Sequence, residues 1–324
     1  MAEIIAFGEP LMGFYQLKKE GTSLFHMTMG GDTSNVVLQL AKLGYPTKYV
    51  TRIGKDFFGE NFLREWKAWN VDCSDVVIDT THSTGAYFTL FDNGINHRFV
   101  YKRENSAAAN YTTEDAEKVN IKGAKIFHFS GISQAISKSA LESSFYFAER
   151  CKSEEITVSY DLNYRELLWS KNFFSSIALY TIKKYVDVVT LNLEEANVIG
   201  VSGPPEEIVK KILSYGPKVV ALKLGQEGCV IGEQMSKIVR RVSPEVKVVD
   251  TVGAGDAFDA GVISGIIEGM EIGEIADYAN LIAAMVCMSV GSTEGQPTRN
   301  ALKNSFKFGG DYKRIKDREK GSKT

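Results

Sequence analysis

Asp250-Thr251-Val252-Gly253-Ala254-Gly255-Asp256-Ala257-Phe258 carries three small residues at 253–255 and leads into residues 259–268, a segment with small residues at close spacing and helical character. Small residues ahead of a helix leave several backbone N–H groups free to point at one spot. The helix start adds roughly half a positive charge there, so the run reads as an anion site. Such donors can stabilise a phosphoryl group that carries spread negative charge during transfer. Asp256 stands where a carboxylate could take a proton from an attacking hydroxyl. The plainer reading makes Asp256 a helix N-cap with turn glycines around it. A bare Gly-x-Gly-Asp would favour that reading; the full nine-residue run favours the site.

Outward from this run the chain alternates short apolar, β-rich stretches with helical patterns. Strands are predicted at residues 4–8, 47–53, 124–130, 156–161, 186–191 and 218–224, and helices at 33–43 and 57–69. Gly44 follows the first helix where a C′ glycine belongs. Several strands are near-continuous apolar runs, as in a sheet covered on both faces. Alternation of this kind implies right-handed crossovers and a parallel sheet, an α/β fold.

Two stretches break the rhythm. Residues 11–29 carry aromatics and turn residues with weak helical period, and residues 83–101 read as a hairpin around Asn93-Gly94. They are expected to pair as a small separate sheet, either a decorative edge or a lid over a site. The polar and basic end, Tyr101-Lys102-Arg103, favours the lid. The expected organisation is therefore a large α/β domain from 1–10, 30–82 and 104–310, a β lid from 11–29 and 83–103, and a tail over 311–324.

The chain is 44% hydrophobic and 24% charged with a formal net charge of −2, so no broad electrostatic argument favours nucleic acid or an anionic membrane. Cys73, Cys151, Cys229 and Cys287 form no CxxC pair and read as reduced thiols of a cytoplasmic protein. Four dispersed histidines offer no zinc spacing. The start, Met-Ala-Glu-Ile-Ile-Ala-Phe-Gly-Glu, does not read as a secretory signal. No run reads as a membrane span, and residues 281–288 read as a buried helix.

Open parallel sheets bind ligands beyond the carboxyl ends of their strands. There the chain carries Gly131-Ile132, Asp161-Leu162-Asn163-Tyr164-Arg165, Asn192-Leu193-Glu194-Glu195 and Lys223-Leu224-Gly225-Gln226-Glu227-Gly228. Each could be an ordinary turn; their shared edge points to a site. No Gly-x-x-x-x-Gly-Lys-Ser/Thr is present, which excludes a P-loop enzyme. Gly253-Ala254-Gly255 lacks the third glycine of a dinucleotide fingerprint, which disfavours a dehydrogenase.

Gly30-Gly31-Asp32-x-x-Asn35, then Arg52-Ile53-Gly54-Lys55-Asp56-x-x-Gly59, and finally the run at 250–258, resemble the ribokinase-like (PfkB-type) carbohydrate kinases over nearly the whole chain. The resemblance implies a three-layer α/β/α fold with a mostly parallel central sheet and a small β-sheet lid, and ATP with Mg2+. It implies Asp256 as catalytic base and the N–H groups of Gly253, Ala254 and Gly255 as anion hole. Asn192 and Glu195 match an Asn-x-x-Glu tied to magnesium and phosphate. Asn163, Arg165, Lys223, Gly225, Gly228, Asn280 and Ala284 would line the nucleotide. Gly31, Asp32, Asn35 and Ile132 would hold the sugar. Asp250 and Thr251 are compatible with a monovalent cation such as K+. Homo-oligomers are common in such a family.

Within the family, residues 101–109 and 161–169 look most like 2-keto-3-deoxygluconate kinases. A sugar acid brings a carboxylate, and guanidinium groups are planar, permanently charged partners for it. Arg103 and Arg165 would supply them from two sides, unless Arg165 sits in a structural ion pair. Tyr87 and Tyr101 read equally as lid aromatics over the sugar or as cross-strand packing. A fructokinase or nucleoside kinase of the same fold is the nearest alternative, and a non-catalytic sugar-sensing protein a more distant one.

Overall fold

The computed structural model describes residues 2–19, 22–92 and 96–305. The first part of the chain forms β1 (Ile4–Phe7), β2 (Leu11–Lys19), β3 (Thr22–Gly30), α1 (Asp32–Lys42), β4 (Thr47–Val50), β5 (Arg52–Gly54), α2 (Phe57–Ala68), β6 (Val77–Asp79), β7 (Gly85–Asp92) and β8 (Asn96–Lys102). The middle forms α3 (Thr113–Glu117), β9 (Ile126–Ser130), α4 (Gly131–Ala135), α5 (Lys138–Ser153), β10 (Thr157–Asp161), α6 (Lys171–Tyr185), β11 (Val188–Asn192) and α7 (Leu193–Val198). The last part forms α8 (Pro205–Leu213), β12 (Val219–Lys223), β13 (Cys229–Glu233), β14 (Ile238–Arg241), α9 (Ala254–Glu268), α10 (Ile272–Val286) and α11 (Arg299–Ser305).

The main sheet runs β14-β13-β12-β11-β10-β9-β1-β4. Its strands from β12 to β4 are parallel, while β13 and β14 are antiparallel. This antiparallel edge agrees with the mostly parallel central sheet expected of the fold. The turn at Gly228, with φ +90°, folds the chain straight back from β12, which a hairpin permits and a parallel crossover does not. The predicted strand over 47–53 is two strands, β4 in the main sheet and β5 paired with β6.

Residues alternate between the two covered faces. Phe127, Phe129, Val158 and Val189 pack with Phe147 of α5, Phe174 of α6 and Ile212 of α8. The opposite face carries Ile4 and Ile126 beneath α1, α9 and α10, with Ala6 against α2. That second face turns polar toward the carboxyl ends, where Ser130 lies opposite Asp161, Asp161 opposite Thr190 and Asn192 opposite Lys223. Buried hydrophobic area therefore carries the sheet, and its polar end is spent on a site.

The other described sheet of note runs β3-β2-β7-β8. Residues 11–29, weak in helical period, form the antiparallel pair β2 and β3, and β2 joins β7 in parallel. The Asn93-Gly94 turn and the 311–324 tail lie outside the described residues. Tyr87 packs with Leu11 and Tyr15, and Val252 rests against this group, so the small sheet touches the loop before α9.

α9 crosses α10 closely because Gly261 has no side chain: a Cβ there would come within 2.5 Å of Ala279 Cα. Gly261→Val is expected to lower stability by about 2 kcal/mol or more through overpacking, read as a lower urea midpoint at unchanged slope.

Candidate active site

The start of α9 is set by Gly253, whose φ of +82° is left-handed and whose missing Cβ would meet Ser292 O at 2.6 Å. Only glycine fits both demands. The helix has no side-chain cap, so Asp256 is not an N-cap residue. Among the described residues the N–H groups of Gly253 and Gly255 have no acceptor. The N–H of Ala254 donates to Thr251 O at 3.2 Å, which removes it from the expected trio of donors.

The Asp256 carboxylate projects from the first turn and accepts a 2.7 Å hydrogen bond from Asn35 Nδ2. Asn35 Oδ1 in turn receives Ser292 Oγ at 3.3 Å, and the same hydroxyl donates to Met29 O of β3 at 2.7 Å. Burial pushes the Asp256 carboxyl up to about 7; the nearby Asp32 charge adds to this and the Asn35 hydrogen bond opposes it. A carboxyl that titrates near neutrality is suited to proton abstraction.

Gly31 begins α1 with φ +100°, and a Cβ there would meet Glu9 O at 2.2 Å. Asp32 next to it accepts from Ser130 Oγ, and from Asn163 Nδ2 at 3.5 Å. Its Oδ1 is buried and without a partner. Ile132 lies buried on α4, just beyond β9.

Lys223 ends β12 with Nζ 3.0 Å from Asp161 Oδ1 and 3.2 Å from Asp259 Oδ1. Burial pushes Asp161 up, but the Lys223 charge together with the hydrogen bonds from Asp259 and Lys223 holds this carboxyl low. Asn192 caps α7 by accepting Glu195 N at 2.9 Å, and Glu195 Oε2 accepts Asn192 N at 2.8 Å. Glu195 also accepts Tyr164 N at 3.1 Å and titrates near 7 because of burial and the Asp161 charge. The Asn-x-x-Glu pair is thus a capping box as well as a candidate phosphate-side pair.

Gly225 and Gly228 take positive φ in the turn after β12. Asn280 and Ala284 are buried on α10, with Asn280 Nδ2 donating to Arg241 O at 3.3 Å. Asp250 ties two loops together by accepting Val252 N at 3.1 Å and Gly291 N at 3.0 Å, while Thr251 is exposed.

The arginines differ from expectation. Arg103 is not a free lid residue: it lies just past β8, buried, in an ion pair with buried Glu9. Ser106 Oγ also donates to Glu9 at 3.1 Å. The pair is long-range, so the basic appearance of residues 101–103 concealed it. Arg165 is exposed, and among the described residues no carboxylate pairs with it. Tyr87 is buried and Tyr101 half-buried, with ring centroids 6.2 Å apart, and Arg103 lies 5.4 Å from the Tyr101 ring. Sequence reading also missed Glu9, Asp259, Ser130 and Ser292. A lone Asp259 inside the apolar helix 257–267 was the available sign of a buried charge pair.

The family model for pfkB family carbohydrate kinases matches residues 1–299. The chain belongs to this family. A 2-dehydro-3-deoxygluconokinase from Bacillus subtilis is 30% identical over 93% of this chain and 94% of its own length. A PfkB protein from Polaromonas sp. JS666 is similar in structure, with TM-score 0.83, 28% identity, and coverage of 94% and 99% of the two chains. A candidate ribokinase II from E. coli in complex with ATP and Mg2+ shares the fold, with TM-score 0.86, 20% identity, and coverage of 95% and 99%. This sugar kinase has no helix among its described residues long and apolar enough to cross a membrane.

Asp256→Asn is expected to fold and to lower kcat by roughly 10²- to 10⁴-fold. In the unsubstituted kinase kcat should fall as pH drops through about 7, because Asp256 must be ionised to accept a proton. A full pH–rate profile checks both; a flat profile from pH 6 to 8 contradicts the assignment.

Proposed function

We propose that this kinase transfers the γ-phosphoryl group of ATP to the terminal hydroxyl of 2-keto-3-deoxygluconate, in the cytoplasm and as a homo-oligomer. The observation that carries the reading is Asp256 beside unoccupied N–H groups at the start of α9, hydrogen-bonded to Asn35. The base and the anion donors share one helical turn, so a hydroxyl held by Asp256 is in reach of a phosphoryl group held by those donors.

In this reading Asn35, Asp32 and the Gly31 turn hold the sugar against Asp256. Asp256 takes the hydroxyl proton as the oxygen attacks in line. The small sheet, with Tyr87 and Tyr101, covers the sugar and excludes water. Arg165 meets the sugar carboxylate, since its guanidinium has no acidic partner of its own. Arg103 is committed to Glu9 but keeps a buried Nε without a partner, a donor left for the sugar carboxylate. Gly225, Gly228, Asn280 and Ala284 line the nucleotide.

The Asn192 and Glu195 oxygens, already engaged by backbone N–H groups, suit magnesium held through water. Mg2+ when bound supplies charge neutralisation on the phosphates. The anionic oxygens of Asp250 beside Thr251 suit a monovalent cation.

An ATP-consumption assay over 2-keto-3-deoxygluconate, fructose and a nucleoside tests the substrate. The acid should be used with the highest kcat/KM, and preference for fructose or the nucleoside would overturn the assignment. Arg165→Ala should lower kcat/KM for the acid by about 10- to 100-fold, the range of a charge-assisted hydrogen bond, with little effect on a neutral sugar. Equal losses on both would remove Arg165 from acid recognition.

A further inference from the structure

Asp161, Asp256 and Asp259 each bring a carboxylate oxygen within 4.8 Å of the others. Like charges this close cannot all ionise without a counter-ion. The counter-ion is built in: Lys223 Nζ lies 3.0 Å from Asp161 and 3.2 and 3.4 Å from the two oxygens of Asp259. Asp161 and Asp259 are almost fully buried, so the attraction is weakly screened. The ammonium also lies 3.7 Å from where a Cβ on Gly255 would stand, alongside the turn that carries Asp256.

We propose that Lys223, clamped between Asp161 and Asp259, is an electrostatic positioning residue for the base Asp256. The proposal rests on Asp256 acting as base. A cation fixed at this distance favours the ionised base, and Asp161 opposes it. The clamp holds Lys223 at a set distance without letting it pair with Asp256 itself, which would consume the base in an ion pair. The other groups facing Asp256 are Asp32 and Asn35 of α1, Asp161 of β10 and Asp259 of α9. Behind them stand Arg103, paired with Glu9, and buried His128, which burial holds neutral with a value near 4. Glu195, beyond Lys223, completes the set.

Two substitutions move the base in opposite directions. Lys223→Met removes the cation, and the acid limb of kcat should move up by roughly one pH unit. From a limb near 7 that costs about fivefold in kcat at pH 7. Asp161→Asn removes an opposing charge, leaves the Lys223–Asp259 pair in place, and should move the limb down by roughly one unit. Damage to the fold would lower both rates without opposite shifts. Lys223→Met strands two buried carboxylates and is the variant at risk of misfolding; made in the Asp161→Asn background it strands only one, and the limb must then rise relative to Asp161→Asn alone. The proposal is overturned if both limbs stay where they are, or if Lys223→Met changes only KM for ATP, which would leave Lys223 as a nucleotide contact. An unsubstituted kinase with no acid limb near neutrality, or an active Asp256→Asn, would instead remove Asp256 as base.

Discussion

The left-handed turn at Gly253 is the constraint on which the site depends. Any side chain there would strike the backbone of Ser292 and would also strain φ. Because the glycine closes against that loop, α9 begins at a fixed point over the polar end of the sheet. The same packing aligns Asp256 with Asn35, and Ser292 bridges Asn35 to Met29 O near the end of β3. One backbone contact thus relates Asp256, Asn35 and the small sheet.

The loop carrying Ser292 reaches further than its length suggests. Gln296 Nε2 donates to Asn35 O at 2.8 Å, Gln39 Nε2 to Pro297 O at 2.8 Å, and Lys42 Nζ to Thr293 O at 2.8 Å. Thr28 of β3 bonds Glu294 in the same loop. α1 and β3 are therefore both tied to a segment that also backs Gly253. β3 is joined to the loop by two part-buried hydrogen bonds, Thr28 to Glu294 and Ser292 to Met29 O, where loss of a partner is costly.

Local features were legible in the sequence and long-range pairings were not. The glycines of 253–255 announce a helix start because backbone geometry demands them, and near-continuous apolar strands such as 186–191 announce a doubly covered sheet. Both signals lie within a few residues. β13 and β14 were missed because strands of five and four residues carry little period. Arg103 read as free because Glu9, its partner, is 94 positions away. Lys223 read as a nucleotide-lining residue with no carboxylate partner because its partners lie 62 and 36 positions away. A buried charge announces only that a partner is needed, not which one.

These misread charges share a logic. A sugar kinase must gather polyanionic nucleotide, acidic catalytic groups and, on the reading above, an acidic sugar in one cleft. Free cations would collapse onto whichever anion arrived first. In this fold two of the cations nearest the base are already engaged: Arg103 by Glu9, and Lys223 by Asp161 and Asp259. Each pair loses solvation on burial and repays it only through close geometry and further hydrogen bonds. What the pairs provide is a field that does not rearrange as ligands enter, and a fixed field acts at the transition state without reorganisation cost. Arg165, exposed and without an acidic partner, is the contrasting case. It donates to Tyr164 O at 2.9 Å and its charge bears on Glu195 without an ion pair, so on the proposed reading it is the cation left for a ligand anion.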